Sequence, residues 1–121
     1  MFRLFNLFGK SAAIQALDDA LRACGVHPLL VSEAVKLTVI RQCRRHPDAS
    51  FDAAAALLSF CILGRDAFIE SNGIPAADRA DRRLEDAIAA GGSLDARLVL
   101  LALHAGLIAP EIADRIEVED R

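Results

Sequence analysis

Residues 53–63 form an uncharged run, AAAALLSFCIL, which constrains the fold more than any other part of the chain. A helix without a charge on any face needs other helices, or a partner subunit, on all sides. The run is well short of the ~20 apolar residues that span a bilayer. We therefore expect residues 51–63 to form the central helix of the fold.

Apolar residues recur at intervals of three and four along almost the whole chain, and no stretch alternates with a period of two. This pattern predicts an all-α protein. With 121 residues, the chain has the size of one domain. We predict a compact bundle of five or six helices over residues 11–117, with an apolar segment at residues 1–10 and a tail at residues 118–121.

Four serines mark predicted helix starts, because each stands just before an apolar periodic run, where its hydroxyl can accept from the first turn. They are Ser11, Ser32, Ser50 and Ser93. The predicted helices cover about residues 12–23, 31–45, 51–72, 75–90, 94–105 and 110–116. The third is expected to continue past Gly64, with a break at Gly64 as the alternative.

The same periodicity predicts which residues of each helix are buried and which face water. Asp18, in the first helix, is expected to face water, and the fourth helix is expected to lie outside, with i,i+4 ion pairs from Arg82 to Asp78 and to Asp86. The expected buried positions are Ala34, Val35, Thr38 and Cys43 in the second helix, and Ala77, Ala80, Leu84 and Ile88 in the fourth.

Composition and charge bear on the partners. An apolar content of 54% is high for this size and favours a subunit interface, so we predict a homodimer. The net charge of −3 disfavours nucleic acid and acidic substrates. Three cysteines without a close pairing pattern favour reduced thiols and a cytoplasmic location. The first ten residues lack the cleavage site of a signal peptide.

Residues 98–117 carry Ala102, Gly106 and Ile112 at a spacing that resembles a DNA-reading helix-turn-helix. That motif needs polar outer sides and basic or amide groups at the start of its second helix. Here the second helix opens with Pro110 and is rich in carboxylates. We interpret the segment as a packed αα-hairpin, and a DNA-binding regulator is the alternative.

Two Cys-x-x-His units, Cys24 with His27 and Cys43 with His46, contain the ligand types of tetrahedral zinc. The helix between them, ~15 residues at ~1.5 Å each, would hold them ~20 Å apart. We therefore expect no metal and no cofactor, with the cysteines in the core and the histidines in turns. A site that bridges two subunits is the alternative.

Asp66 and Glu70 lie at i,i+4 and share a helix face, as acid/base or metal-binding carboxylates do. No Glu-x-x-His unit or other partner complements them, so we interpret them as a solvated side, with a metal-dependent enzyme as the alternative. His104 is expected in the core or facing the helix dipole. No nucleophile elbow or phosphate loop occurs. We therefore predict a protein without catalytic activity.

Arg41, Arg44 and Arg45, with His46 next to them, form a basic cluster that can bind an acidic partner or phosphate; solvation of a helix end explains it equally well. We include the three arginines among the candidate partner-binding residues.

Phe2, Phe5 and Phe8 are the other candidate partner-binding residues, because residues 1–10 are apolar on most sides if helical. Three interpretations of this segment are open. It docks on the body of the protein or on a twin subunit, it binds a groove of another protein or touches a membrane, or it forms a mobile end. Together the clusters predict a small protein-interaction or regulatory module whose partners are its own copy and another protein.

Overall fold

The computed structural model describes the backbone of residues 2–119 and the side chains of residues 12–116. Within residues 2–119 it has seven α-helices and no strand, which confirms the all-α prediction and exceeds the predicted five or six helices. They are α1 (Phe2–Ala23), α2 (Glu33–Arg44), α3 (Phe51–Leu63), α4 (Arg65–Asn72), α5 (Ile74–Ala89), α6 (Leu94–His104) and α7 (Pro110–Glu119). No single helix of this part has both the length and the apolarity to cross a membrane; α5 and α6 meet those criteria only as a pair, and that pair is bent by 89°.

Helix α3 lies in the middle of the bundle, where its uncharged sequence predicts it. It packs against α1, α2, α4, α5 and α6. Leu57, Phe60 and Cys61 have no exposed surface. Each Å² of apolar surface removed from water contributes roughly 25 cal/mol, so a helix covered on several sides stabilises the fold more than one with a single buried stripe.

Gly64 separates α3 from α4, so the prediction of one helix continuing past this residue is wrong and the alternative of a break is correct. Its φ of 83° and ψ of 167° lie in a region that is essentially restricted to glycine. Its N–H donates to the Phe60 carbonyl at 2.9 Å, and its carbonyl accepts from the Phe68 N–H at 3.0 Å. One residue thus ends α3 and begins α4.

The corner at Gly64 brings Phe60 and Phe68 together. Their ring centroids lie 5.5 Å apart, with the planes at 78°, an edge-to-face pair. In an unbroken helix, residues eight apart would be separated by ~12 Å along the axis. Gly73 makes a second corner with nearly the same backbone, φ 87° and ψ 166°, between α4 and α5. The two corners allow α4 and α5 both to pack against α3.

Three of the four predicted serine caps are confirmed. Each hydroxyl accepts a hydrogen bond from the N–H three residues later, at 3.0–3.2 Å. The serines are Ser32, Ser50 and Ser93, and the donors are Val35, Ala53 and Ala96. Ser11 is the exception, because α1 begins at Phe2 and Ser11 lies inside it. Gly9, the weakest helix former in that stretch, costs a helix only about 1 kcal/mol.

The buried face of α2 differs from the prediction and includes one ion pair. Lys36 Nζ lies 2.9 Å from Asp18 Oδ1 of α1, and the two side chains are only 9% and 21% exposed. Asp18 Oδ1 has no hydrogen-bond partner among the described residues. The contact with Lys36 is therefore an ion pair without hydrogen-bond geometry. Asp18 therefore does not face water. The α2 residues that turn inward are Lys36, Val39, Ile40 and Cys43, whereas Ala34 is exposed and Val35 and Thr38 are half-buried.

Helix α5 buries the predicted stripe with one change. Its buried residues are Ala77, Ala80, Leu84 and Ala87. Ile88, predicted in the stripe, is half-buried at the edge of this face. The buried side packs on α3, α4 and α6, so α5 covers the central helix with its apolar side and keeps its charged side outward.

The predicted ion pairs within α5 are absent among the described side chains, and at Asp78 an arginine of a neighbouring helix takes the carboxylate. Asp78 Oδ1 lies 2.6 Å from Arg65 Nη2 of α4. Asp81 lies 3.3 Å from Arg65 Nη1 and 2.8 Å from Arg115 Nη2 of α7. Charges on α5 therefore join helices that pack side by side, which helix periodicity alone does not predict.

We expect Gly64→Ala and Gly73→Ala each to lower the free energy of unfolding by roughly 1–3 kcal/mol, because a Cβ strains this backbone. At Gly64 the Cβ would also meet Glu111, whose exposed side chain can turn away, whereas the nearest atom at Gly73 is Pro75 Cδ at 3.9 Å. Urea denaturation measures both changes. The control is Gly91→Ala, which meets nothing within 4 Å and has an ordinary φ, and it should leave stability unchanged or slightly raised. A neutral Gly64→Ala variant would contradict the role of the corner.

We expect Asp18→Asn to lower the free energy of unfolding by about 2 kcal/mol, because the nearly buried Lys36 ammonium loses its counter-charge. Adding Lys36→Met should restore much of the loss, because it removes the unpaired charge and keeps the apolar stem. The control is Asp19→Asn, which disrupts the exposed Asp19–Arg22 pair and should cost less than about 0.5 kcal/mol. Equal effects of Asp18→Asn and Asp19→Asn in urea denaturation would refute the assignment.

Candidate functional site

Helix α2 ends in three arginines followed by a histidine. Arg41 and Arg44 lie in its last turn, and Arg45 is its C-terminal cap residue. The partial negative charge of the last helix carbonyls favours cations at this position. His46 then leaves the helix, and its ring Nδ1 lies 2.9 Å from the Gln42 carbonyl oxygen. The side chain of His46 is thereby held against the end of α2.

The three arginines lie on the solvent side of α2. At 3.6 residues per turn, positions 41, 44 and 45 fall within an arc of about 100°, and all three side chains are exposed. The opposite side of the helix carries Val39 and Cys43, which are buried. Burial of one side therefore fixes the direction in which the arginines point.

The arginines at the end of α2 form no ion pair with any side chain among residues 12–116. The cations of that part that do form ion pairs are Arg22, Lys36, Arg65, Arg83 and Arg115. Several of these ion-paired cations join one helix to another. The charge of each is neutralised by a carboxylate within the fold. The charge at the end of α2 is thus available to a ligand.

Arg97 adds a fourth arginine from α6. Its Nη1 lies 3.5 Å from Gln42 Oε1, between residues 55 positions apart in the chain. We call Arg41, Arg44, Arg45 and Arg97 the basic surface. Arg97 is not predicted as a site residue from the sequence, because its only signal there is an arginine near the start of a predicted helix. The packing of α6 against α2 brings it to the cluster.

Concave regions border this surface. One lies on α2 and is lined by Leu37, Ile40, Arg41 and Arg44. The next lies over the connection from α2 to α3 and is lined by Cys43, Arg44, His46, Pro47, Ala49 and Phe51. Beyond His46 follows a cleft of about 490 Å³ that reaches α5 and α6. Charged and apolar side chains thus alternate around the end of α2.

The zinc-like Cys and His residues have other contacts in the structure. His27 Nδ1 accepts from the Leu29 N–H at 3.1 Å and so begins the short 3-10 turn Pro28–Leu30. Burial raises the pKa of the Cys24 and Cys43 thiols and raises that of Cys61 to about 12, so burial favours the neutral thiol at all three positions. No group of three or more His, Cys, Asp or Glu among the described side chains could hold a metal ion.

Asp66 and Glu70 are both exposed on α4, and neither lines the concave regions described above. His104 is exposed in the last turn of α6, a position where a cation suits the helix dipole. The structure does not bring Asp66 and Glu70 together with His104 or with the basic surface in any of these regions.

The segment that resembles a helix-turn-helix is packed into the fold. Ala102 and Ile112 are buried, and the Ala109 N–H donates to the Cys61 carbonyl of α3 at 2.8 Å. On α7, Glu111 and Asp114 are exposed, while Arg115 is paired with Asp81. Its described solvent side therefore presents carboxylates.

Phe2, Phe5 and Phe8 belong to α1 by their backbone, and their side chains lie outside the described part of the structure. Their proposed docking therefore remains a prediction from the sequence. No protein-family model, curated protein or solved structure matches this chain.

Proposed function

We propose that this chain is a protein-interaction module without catalytic activity, which binds an acidic partner protein through the basic surface at the end of α2. The observation that carries the proposal is that Arg41, Arg44 and Arg45 are exposed and free of ion pairs within the described part of the chain, although the net charge is negative. Guanidinium groups bind carboxylates with two parallel hydrogen bonds, so a group of them suits a segment rich in Asp and Glu.

A protein partner agrees better with these observations than nucleic acid does. A net charge of −3 gives no long-range attraction for a phosphate backbone. The described exposed side of α7 carries Glu111 and Asp114, which would repel DNA at the place where a recognition helix would bind. The proposed module is cytoplasmic, which three unpaired cysteines favour.

The connection between α2 and α3, next to the basic surface, is held by hydrogen bonds. Ser50 caps α3 immediately after the connection, and the Ala49 N–H donates to the His46 carbonyl at 3.0 Å. A surface already ordered in the free protein loses less entropy when a ligand binds. Binding through such a surface requires no catalytic side chain, which agrees with the proposal of a protein without catalytic activity.

Self-association is part of the proposal. Leu100 of α6 is 50% exposed and borders an apolar hollow lined by Ala87, Ile88, Gly91, Ala96, Val99 and Ile116. A two-fold dimer needs a patch that complements itself, and a projecting leucine next to an apolar hollow meets this requirement. We therefore propose the α5–α6 face as the dimer contact.

The basic surface is tested with fluorescein-labelled poly-L-glutamate by fluorescence anisotropy at low ionic strength. We expect Arg41→Glu with Arg44→Glu to weaken binding by about tenfold, because each exchange replaces attraction by repulsion. The matched control is Arg79→Glu with Arg82→Glu on α5, since these arginines are also exposed and free of ion pairs among the described residues, and the net charge changes equally. Equal weakening in both variants would show a general charge effect and refute the site.

The dimer is tested by light-scattering mass in solution. We expect a dimer for the unaltered chain and a monomer for Leu100→Glu, because a carboxylate cannot enter an apolar hollow without a large desolvation cost. The control is Leu29→Glu, because Leu29 is 85% exposed and lines none of the concave regions described above. A monomeric unaltered chain would contradict self-association.

A further inference from the structure

The concave regions around the end of α2 adjoin one another through shared lining residues, and we call them together the track. Arg44 lines both the region on α2 and the region over the α2–α3 connection. His46, Pro47 and Ala49 line both the latter region and the cleft toward α5 and α6. A ligand that starts at the basic surface therefore finds a surface leading past His46 and over the first turn of α3.

The chemistry changes along this track. Arg41 and Arg44 stand at its beginning. Its middle is mainly apolar, with the rings of Pro47 and Phe51 and the methyl group of Ala49 next to Cys43. A carboxylate group thus finds cations first, and a large apolar group finds a hollow directly beside them.

The far end of the track is lined mainly by apolar side chains and contains one ion pair, which is neutralised within the fold. Arg83 donates from Nε and Nη2 to the two Asp95 carboxylate oxygens, at 3.0 and 2.9 Å. Its Nη1 donates to the Ala53 carbonyl at 2.8 Å, which holds the pair against α3. Asp48, which is exposed, also lines this end. A uniformly anionic ligand, such as a membrane surface or nucleic acid, would meet an uncompensated carboxylate here.

We infer that the partner presents an acidic peptide segment in which a large apolar side chain adjoins the carboxylates. The carboxylates bind Arg41 and Arg44, and the apolar side chain enters the hollow over Ala49 and Phe51. This inference rests on the proposed function and deepens it, because it names the kind of segment that the basic surface selects.

Two labelled, C-terminally amidated peptides of equal length and charge test the inference: Glu-Glu-Asp-Glu-Asp-Glu-Leu-Phe, which has all its carboxylates on one side of the apolar pair, and the same peptide with Ser-Ser in place of Leu-Phe. We expect the Leu-Phe peptide to bind the full chain at least ~10-fold more tightly in fluorescence anisotropy, because only its side chains are removed from water in the hollow. Arg41→Glu with Arg44→Glu should weaken both peptides. In NMR spectra of the unaltered chain, the Leu-Phe peptide should shift the amide signals of residues 46–54 more than the Ser-Ser peptide does.

Ala49→Leu fills the hollow and should remove the preference for the Leu-Phe peptide over the Ser-Ser peptide. The control is Ala89→Leu, because Ala89 is exposed near the end of α5 and outside the track. Equal affinities for the two peptides, both weakened by the arginine exchanges, would overturn this inference and leave the proposed function standing. Binding of neither peptide would contradict the proposed function itself. Stronger binding to phosphatidylserine vesicles than to either peptide would also overturn the inference.

Discussion

The fold depends on the need to cover α3 on several sides. A helix without a polar face is stable in water only when neighbouring helices surround it. The chain meets this requirement with single-residue corners at Gly64 and Gly73, which allow α3, α4 and α5 to follow one another and still pack together. At the far end of α4, Asn72 Nδ2 donates to the Cys24 carbonyl at 2.8 Å and joins this unit to α1.

The distribution of ion pairs follows from the same packing. Arg65, Arg83 and Arg115 stand where helices meet, and each is paired with carboxylates of another helix. The arginines at the end of α2 stand outside these contacts. In the proposed function, the paired arginines stabilise the fold, and the arginines at the end of α2 bind a partner.

Side chains with reactive or ligand groups have structural roles in much of the described chain. His27 caps a 3-10 turn, and His46 contacts the end of α2. Cys61 is buried, with a raised pKa that keeps its thiol neutral. These observations support a proposal in which the protein acts through its surface. In that proposal, the binding groups are the apolar hollow over Ala49 and Phe51 and the arginines beside it.

The sequence by itself determined the features that depend on near neighbours. Apolar periodicity predicted the all-α class, and the uncharged run predicted the central α3. Serine hydroxyls predicted the starts of α2, α3 and α6, because each cap is a contact over three residues. It also placed Arg41, Arg44 and Arg45 together, since helical spacing alone does so.

Only the tertiary structure decided the features that depend on distant partners. The Lys36–Asp18 pair lies on the buried face of α2, and the Phe60–Phe68 contact accompanies the corner at Gly64 that divides a periodic run into two helices. Packing of α6 against α2 added Arg97 to the basic surface. The physical reason is common to all of them: a charge or an aromatic ring interacts with whatever the fold brings near it, and distance along the chain does not fix that neighbour.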